Sequence, residues 1–383
     1  MARTLMDKPI AGPMVWHGRE LAGSTDWIRR LSAGAVDEID AALRGLQARG
    51  LEWRDIRKKD FPLPGVSAEL AQLNRDLEWG RGLVLVRGLP VARYSDEELR
   101  AIWWGLGCHL GAAVHQNAHG ELIGEVRDEI RLYGEVVEPA VPKGEGVTSR
   151  AKARSSGPLR WHTDRCDVVG LLCVRGARRG GTSRVVSVPA VSNAILERRP
   201  DLHTPLCADY YRTRQGEEAG GEASIYAMPI FAMREGKFTT QYSRTFVEAA
   251  QKIATIPRMT PAQDEALDLL ATVCDELGYE MELEPGDIQL LNNHVVYHGR
   301  TAYEDAPEPG RDRLLLRLWL APPNSRSLPE GFETLWGSIK GGAVRGGIAQ
   351  PAAAARCPPR ASPARRAGRS LRPAAAWPPA APG

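Results

Sequence analysis

Several features are scarce in this chain of 383 residues, and each scarcity excludes a class of protein. The six cysteines (Cys108, Cys166, Cys173, Cys207, Cys274 and Cys357) contain no C-x-x-C pair, which argues against a structural zinc site and a disulfide framework. No run of eighteen apolar residues occurs, so no membrane-spanning helix is expected. Met1 to Val15 holds Lys and Arg but no continuous apolar stretch, so no secretory leader is expected and cytoplasmic residence follows by default. Acidic residues are missing from Ala349 onward, where six arginines fall. Without them the formal charge of +3 becomes −3 over residues 1–348, which gives no support for a nucleic-acid partner.

The rest of the chain is ordinary for a soluble globular protein and long enough to bury a large core. Three regions are expected: a helical N-terminal extension over residues 1–80, a core over 81–345, and a tail over 346–383. The tail is Pro, Ala and Arg with too little apolar content to offset its ordering entropy, and is expected to be disordered. Ile39, Ala42, Leu43 and Leu46 recur at helical spacing within Val36–Gln47, and Ser67–Leu77 repeats the pattern. Ser95 with Glu98 forms a capping box opening a helix through Trp103 and Trp104, which read as core. Thr260, Pro261 and Gly278 delimit a helix over Pro261–Leu277.

Strands are expected within Gly82–Gly88 and at Leu122–Val126, Val168–Val174, Arg184–Val188, Ile225–Met233, Phe238–Tyr242, Tyr279–Leu283, Ile288–Asn292 and Leu314–Leu320. Many short strands with a few helices suit a mainly β, helix-decorated (α+β) double-stranded β-helix, or jelly roll. Residues 134–158 show little periodicity and are expected to be a loop, a candidate lid.

The chemistry concentrates in Trp161-His162-Thr163-Asp164, answered far downstream by Asn292-Asn293-His294-Val295-Val296-Tyr297-His298-Gly299-Arg300. A His-x-Asp pair plus one distant His is the ligand set of a 2-His-1-carboxylate triad, which holds Fe(II) and leaves positions open. Residues two apart on an extended segment share a face, so His162 and Asp164 can grip one ion. The blander reading of the tetrapeptide is a solvated polar turn. His294 competes with His298 for the third position, since both could share a face of one strand. Cys166 reads as an inert buried thiol.

Gly180-Gly181-Thr182-Ser183 follows the first motif, Pro285-Gly286-Asp287 precedes the second, and Arg313-Leu314-Leu315-Leu316-Arg317 follows it. With Gly105-Leu106-Gly107 and Gln116-Asn117, this order resembles the taurine dioxygenase and 2,4-dichlorophenoxyacetate dioxygenase family over roughly residues 80–345. The resemblance implies a jelly-roll oxygenase that uses Fe(II), 2-oxoglutarate and O2. It would give succinate and CO2 while hydroxylating, or otherwise oxidising, a small substrate, anionic if Arg317 holds it. It points to His162, Asp164 and His298 as catalytic iron ligands, and to Arg313 as anchor of the far carboxylate of 2-oxoglutarate, with Ser183 or Thr182 beside it.

The same resemblance implies that Arg317, Gln116 and Asn117 face the substrate. The presence of Asp164 argues against halogenation, because related halogenases lack that carboxylate. Trp161 is expected in the dry wall of the site, and Tyr133, Tyr242 and Tyr297 are further pocket candidates. Arg300 and Arg311 read as surface or loop-bracing charges. The rival reading is a jelly-roll protein that binds a metal or small molecule without turnover. The implied partner is a small molecule, not nucleic acid or membrane, and a homo-oligomer is compatible with the sequence.

Overall fold

A computed structural model describes residues 6–133, 154–214, 218 and 221–348. Residues 349–383 of the expected tail and most of the candidate lid, residues 134–153, lie outside the described residues.

Period-two alternation builds the centre of the molecule. Along strand Leu83–Arg87, Leu83 and Leu85 join one core cluster while Val84 and Val86 join another. Successive side chains of a strand point to opposite faces, so this sheet is buried on both. It runs in the order Ile28–Arg30, Leu83–Arg87, Ile288–Asn292, Val168–Arg175, Leu314–Ala321 and Ala112–Ala113, with Ile123–Val126 also beside Leu314–Ala321. All its pairings are antiparallel except the first. A second, four-stranded antiparallel sheet has the order Tyr279–Met281, Ser183–Ser187, Val296–Arg300 and Leu159–His162. Val185 and Val296 from it share a core with Leu83, Val169 and Leu291 from the first. This is the jelly-roll sandwich, with helices on its outer faces.

Helices Ala33–Ala48, Ser67–Trp79 and Asp96–Leu110 cover the larger sheet through residues such as Ile39, Leu43, Leu73, Ile102 and Trp103. Ser32 caps the first by accepting from the Ala35 amide, and the expected Ser95–Glu98 capping box opens the third. Gly170 lets this layer close, since a Cβ there would stand 2.7 Å from the Trp103 ring. Helices Val188–Arg198, Pro200–Leu206 and Pro261–Leu277 pack on one another, and the first and last also pack on strand Ser183–Ser187.

Several boundaries differ from expectation for identifiable reasons. The N-terminal region is not purely helical: Ile28–Arg30 adds a parallel edge strand to the main sheet. Val188 belongs to a helix, because the Ser187 hydroxyl accepts from the Ala190 amide and Pro189 sits in the first turn. The run 225–233 breaks into Ile225–Pro229 and Phe231–Arg234, each paired in its own ribbon. The folded body also extends past residue 345. Gly346, Gly347 and Ile348 donate backbone hydrogen bonds to Trp336, Arg165 and His115, and Ile348 is buried. Among the described residues no helix is long and apolar enough to cross a membrane.

Candidate metal centre

Strand register brings the two motifs together. Leu159–His162 pairs antiparallel with Val296–Arg300 so that His162 stands opposite His298, with ring centroids 4.2 Å apart. The first strand ends at His162, and Asp164 occupies the loop just after it rather than a continued extended segment. Its carboxylate oxygens lie 3.9 Å from His162 Nε2 and 3.8 Å from His298 Nε2. Ligand atoms of the three residues lie within 4.8 Å of one another, and no other such group converges among the described residues.

The donor chemistry suits a divalent cation. His162 Nδ1 lies 2.8 Å from the Arg160 carbonyl, which can only accept, so Nδ1 carries the proton and Nε2 keeps its lone pair for the cluster. Burial, with His162 alongside, pushes His298 down to about 3 and keeps it neutral. Burial alone would raise the Asp164 carboxyl, but Arg317, both histidines and the Trp319 indole hold it below its usual range. Two neutral imidazoles and one carboxylate are a set that fits Fe(II).

The carboxylate is positioned by its neighbours. Trp319 Nε1 donates to Asp164 Oδ2 at 2.9 Å, and the Asp164 amide donates to Asn293 Oδ1 at 3.0 Å. His294 turns elsewhere: fully buried, it lies 2.7 Å from Asp167 through Nε2 and 2.7 Å from the Thr239 hydroxyl through Nδ1. Asp167 also receives the Arg345 guanidinium, so His294 belongs to a closed polar network.

Beyond the histidines lies a pocket lined by Leu159, Leu171, Leu283 and Leu315, with Arg313, Arg300 and Ser183 among its polar groups. Arg313 is 5% exposed, its guanidinium lies over Tyr303 at 5.0 Å, and its Nη1 has no hydrogen-bond partner. The Gly180–Gly181 turn makes room for it: both glycines have positive φ, and a Cβ on Gly181 would stand 3.1 Å from Arg313 Nε. Ser183 lines this pocket and shares hydrogen bonds with Gln289, whereas the Thr182 amide donates to Thr301 and Thr182 is not in the lining.

An open cleft meets the cluster from the other side. It is lined by Trp161, His162, Asp164, Gln116 and Arg317, among others. Gln116 is committed to structure: Nε2 donates to the carbonyls of Leu122 and Arg317, and Oε1 accepts from Arg317 Nε at 2.7 Å. Arg317 thereby reaches both cavities, with Nη1 at 3.5 Å from Asp164. Asn117 lines neither cavity; its Oδ1 accepts from the His119 and Glu121 amides and holds a turn. Tyr242 and Tyr297 are buried in the core, and the side chain of Tyr133 lies outside the described residues.

The model of the family described as "Taurine catabolism dioxygenase TauD, TfdA family" matches residues 44–319. The chain belongs to the TauD/TfdA dioxygenase family. It is therefore an oxidoreductase dependent on Fe(II), 2-oxoglutarate and O2, acting on a small molecule. It is 31% identical over 341 residues to FR-33289 synthase of Streptomyces rubellomurinus, covering 87% of this chain and 96% of that protein. It is 28% identical over 334 residues to the taurine hydroxylase-like protein SAT17 of Stachybotrys chartarum, covering 84% of each. An asparagine oxygenase solved with Fe(II), 3-hydroxyasparagine and succinate shares its fold at a TM-score of 0.56 and 19% identity, over 77% of this chain and 93% of that one.

Within this TauD/TfdA member, three features of the site escape sequence reasoning. Trp319 read only as part of an apolar strand, yet its indole holds Asp164. Arg300 does brace a loop, donating to the Ser155 and Gly157 carbonyls, but it is buried and lines the same pocket as Arg313. Tyr303 lies against both guanidiniums, at 4.8 Å from Arg300 and 5.0 Å from Arg313. The one signal available was the closeness of Arg300 to His298 on a strand, where i and i+2 share a face.

Proposed function

We propose that His162, Asp164 and His298 hold Fe(II), that Arg313 anchors 2-oxoglutarate, and that the chain hydroxylates a small organic substrate seated in the open cleft. The convergence of two neutral imidazoles and one carboxylate between the two cavities carries this reading. Iron bound there supplies O2 activation coupled to oxidative decarboxylation of 2-oxoglutarate to succinate and CO2.

The residues divide the remaining work. Arg313 offers a planar guanidinium with an uncommitted Nη1 in a pocket that also holds four leucines. That matches the charge of a dicarboxylate held at one end by the metal. Ser183 adds a hydroxyl beside it, and Arg300 adds a second positive charge. Arg317, fixed by Gln116, stands between the two cavities, where it orients Asp164 and faces the substrate. Trp161 and Trp319 wall the cleft beside the metal ligands and limit water there. We place the enzyme in the cytoplasm, in keeping with its composition.

Oxygen uptake with Fe(II) and 2-oxoglutarate tests the reading across a panel of amino acids, sulfonates, phosphonates, aryloxyacids and amines. At least one class should raise uptake and yield succinate in equal amount. No 2-oxoglutarate turnover by iron-loaded protein under any condition would remove the proposal.

A further inference from the structure

The open cleft holds a second polar centre that no part of the iron and 2-oxoglutarate machinery uses. Two arginines meet there, Arg165 just after Asp164 and Arg214 at the end of the strand Asp209–Thr213. Both line the cleft, and both are paired with one carboxylate, Glu222: Arg165 Nη2 at 2.5 Å and Arg214 Nε at 3.7 Å. Arg165 also donates to the Leu335 carbonyl, and Arg214 to the carbonyls of Ala223 and Thr334. Arg214 is only 4% exposed here.

Two donors here are left over. Arg214 Nη1 and the Thr213 hydroxyl are both buried without a hydrogen-bond partner, on adjacent residues that line the cleft. A buried donor without an acceptor costs about 1–3 kcal/mol, more if charged. A cation with an unsatisfied N–H beside an unsatisfied hydroxyl is therefore a site whose missing component is an anionic acceptor. Burial and repulsion from Arg165 also pull the Arg214 pKa down, against the opposing pull of Glu222 and Glu218. The two remaining arginines of the lining away from the metal are already committed, Arg160 to Glu248 and Arg244 to Glu248 and Asp268.

We propose that Thr213, Arg214 and Arg165 form an oxyanion subsite for the prime substrate. The substrate is then a small organic acid (a carboxylate, sulfonate or phosphonate) whose acid group sits here while its other end faces His162 and Asp164. This rests on the reading of the cleft as the substrate site, and it makes these residues determinants of specificity rather than of the oxidation itself. The acid group accepts from Arg214 Nη1 and the Thr213 hydroxyl.

The test is calorimetric titration of the full-length, Fe(II)-loaded protein, under argon with saturating 2-oxoglutarate. The probes are butyrate, propanesulfonate and propylphosphonate, with butanol and butylamine as neutral and cationic controls. At least one acid should bind better than both controls. Arg214→Gln should weaken that binding about tenfold or more, and Thr213→Val by a smaller factor. Glu222→Gln should tighten it, because the competing carboxylate is gone; a merely structural role for these residues gives no such opposition of sign. The subsite is overturned if no acid outbinds butanol, or if Arg214→Gln and Thr213→Val both keep wild-type affinity for the acid. Should Arg214→Gln fail to fold, Thr213→Val and Glu222→Gln decide by the same criteria. The charge-transfer absorption of the Fe(II) and 2-oxoglutarate complex, read in the same samples, reports separately on the metal and co-substrate assignment, so the two proposals can fail independently.

Discussion

Arg313→Ala removes the guanidinium proposed to meet the far carboxylate of 2-oxoglutarate. The residue is only 5% exposed, so the co-substrate carboxylate would lose its partner in a buried place. Breaking a buried charge pair by deleting one member costs about 3–5 kcal/mol, or roughly two to three and a half decades of affinity at 1.4 kcal/mol per decade. Arg300 lines the same pocket and shares the Tyr303 ring with Arg313, so part of the positive charge survives. The loss is therefore expected near the lower end, about a hundredfold. Arg313→Lys keeps charge but not the two-pronged geometry and should fall between wild type and Arg313→Ala. Titrating 2-oxoglutarate into the anaerobic Fe(II) protein and following the charge-transfer band gives each affinity directly. Unchanged affinity in Arg313→Ala, together with a loss in Arg317→Ala, would refute the assignment and exchange the two roles.

Three further outcomes follow from the same structure. Trp319→Phe deletes the 2.9 Å hydrogen bond to Asp164 while nearly preserving bulk, so Fe(II) affinity measured by chelator competition should fall about 10–100-fold with the fold intact; wild-type affinity would show that the indole does not position the carboxylate. Gly170→Ala puts a Cβ 2.7 Å from the Trp103 ring and should cost about 1–3 kcal/mol in denaturant unfolding without changing iron stoichiometry; an unchanged midpoint would mean that the helix layer yields. His294 is held neutral by burial with its pKa pushed down to about 4, so the unfolded chain takes up this proton first and stability should fall as pH drops from about 6.5 toward 4; His294→Ala should be less stable at neutral pH but flatter along that limb, and an equally steep limb in the variant would contradict it.

What could be read from the sequence, and what could not, divides along the range of the interactions. The helix Pro261–Leu277 appears with the limits expected because its stop and start signals are local: Thr260 accepts from the Gln263 amide, Pro261 fills the first turn, and Gly278 follows the end. The strands Ile288–Asn292 and Val168–Arg175 were visible as apolar runs because both faces of their sheet are buried. The pairing that sets His162 against His298 has no local signature, since it is a register between segments more than a hundred residues apart. Likewise His294 and His298 could not be told apart by spacing. What separates them is that Asp167 and Thr239 occupy both nitrogens of His294, and both contacts exist only in the folded chain. Ser183 opens its strand and lines the pocket, whereas Thr182 lies just before the strand and does not. Asn117 looked like a pocket residue because it neighbours Gln116, but its carbonyl oxygen is used by the turn it closes.

The central claim, that His162, Asp164 and His298 together hold the iron to which 2-oxoglutarate binds, is met most directly by anaerobic absorption spectroscopy on three proteins. Wild type given Fe(II) and 2-oxoglutarate should develop the metal-to-ligand charge-transfer band with one iron per chain. His298→Ala should lose the band, and His294→Ala should keep it. Loss in His294→Ala with retention in His298→Ala, or no band in the wild-type protein, would contradict the assignment.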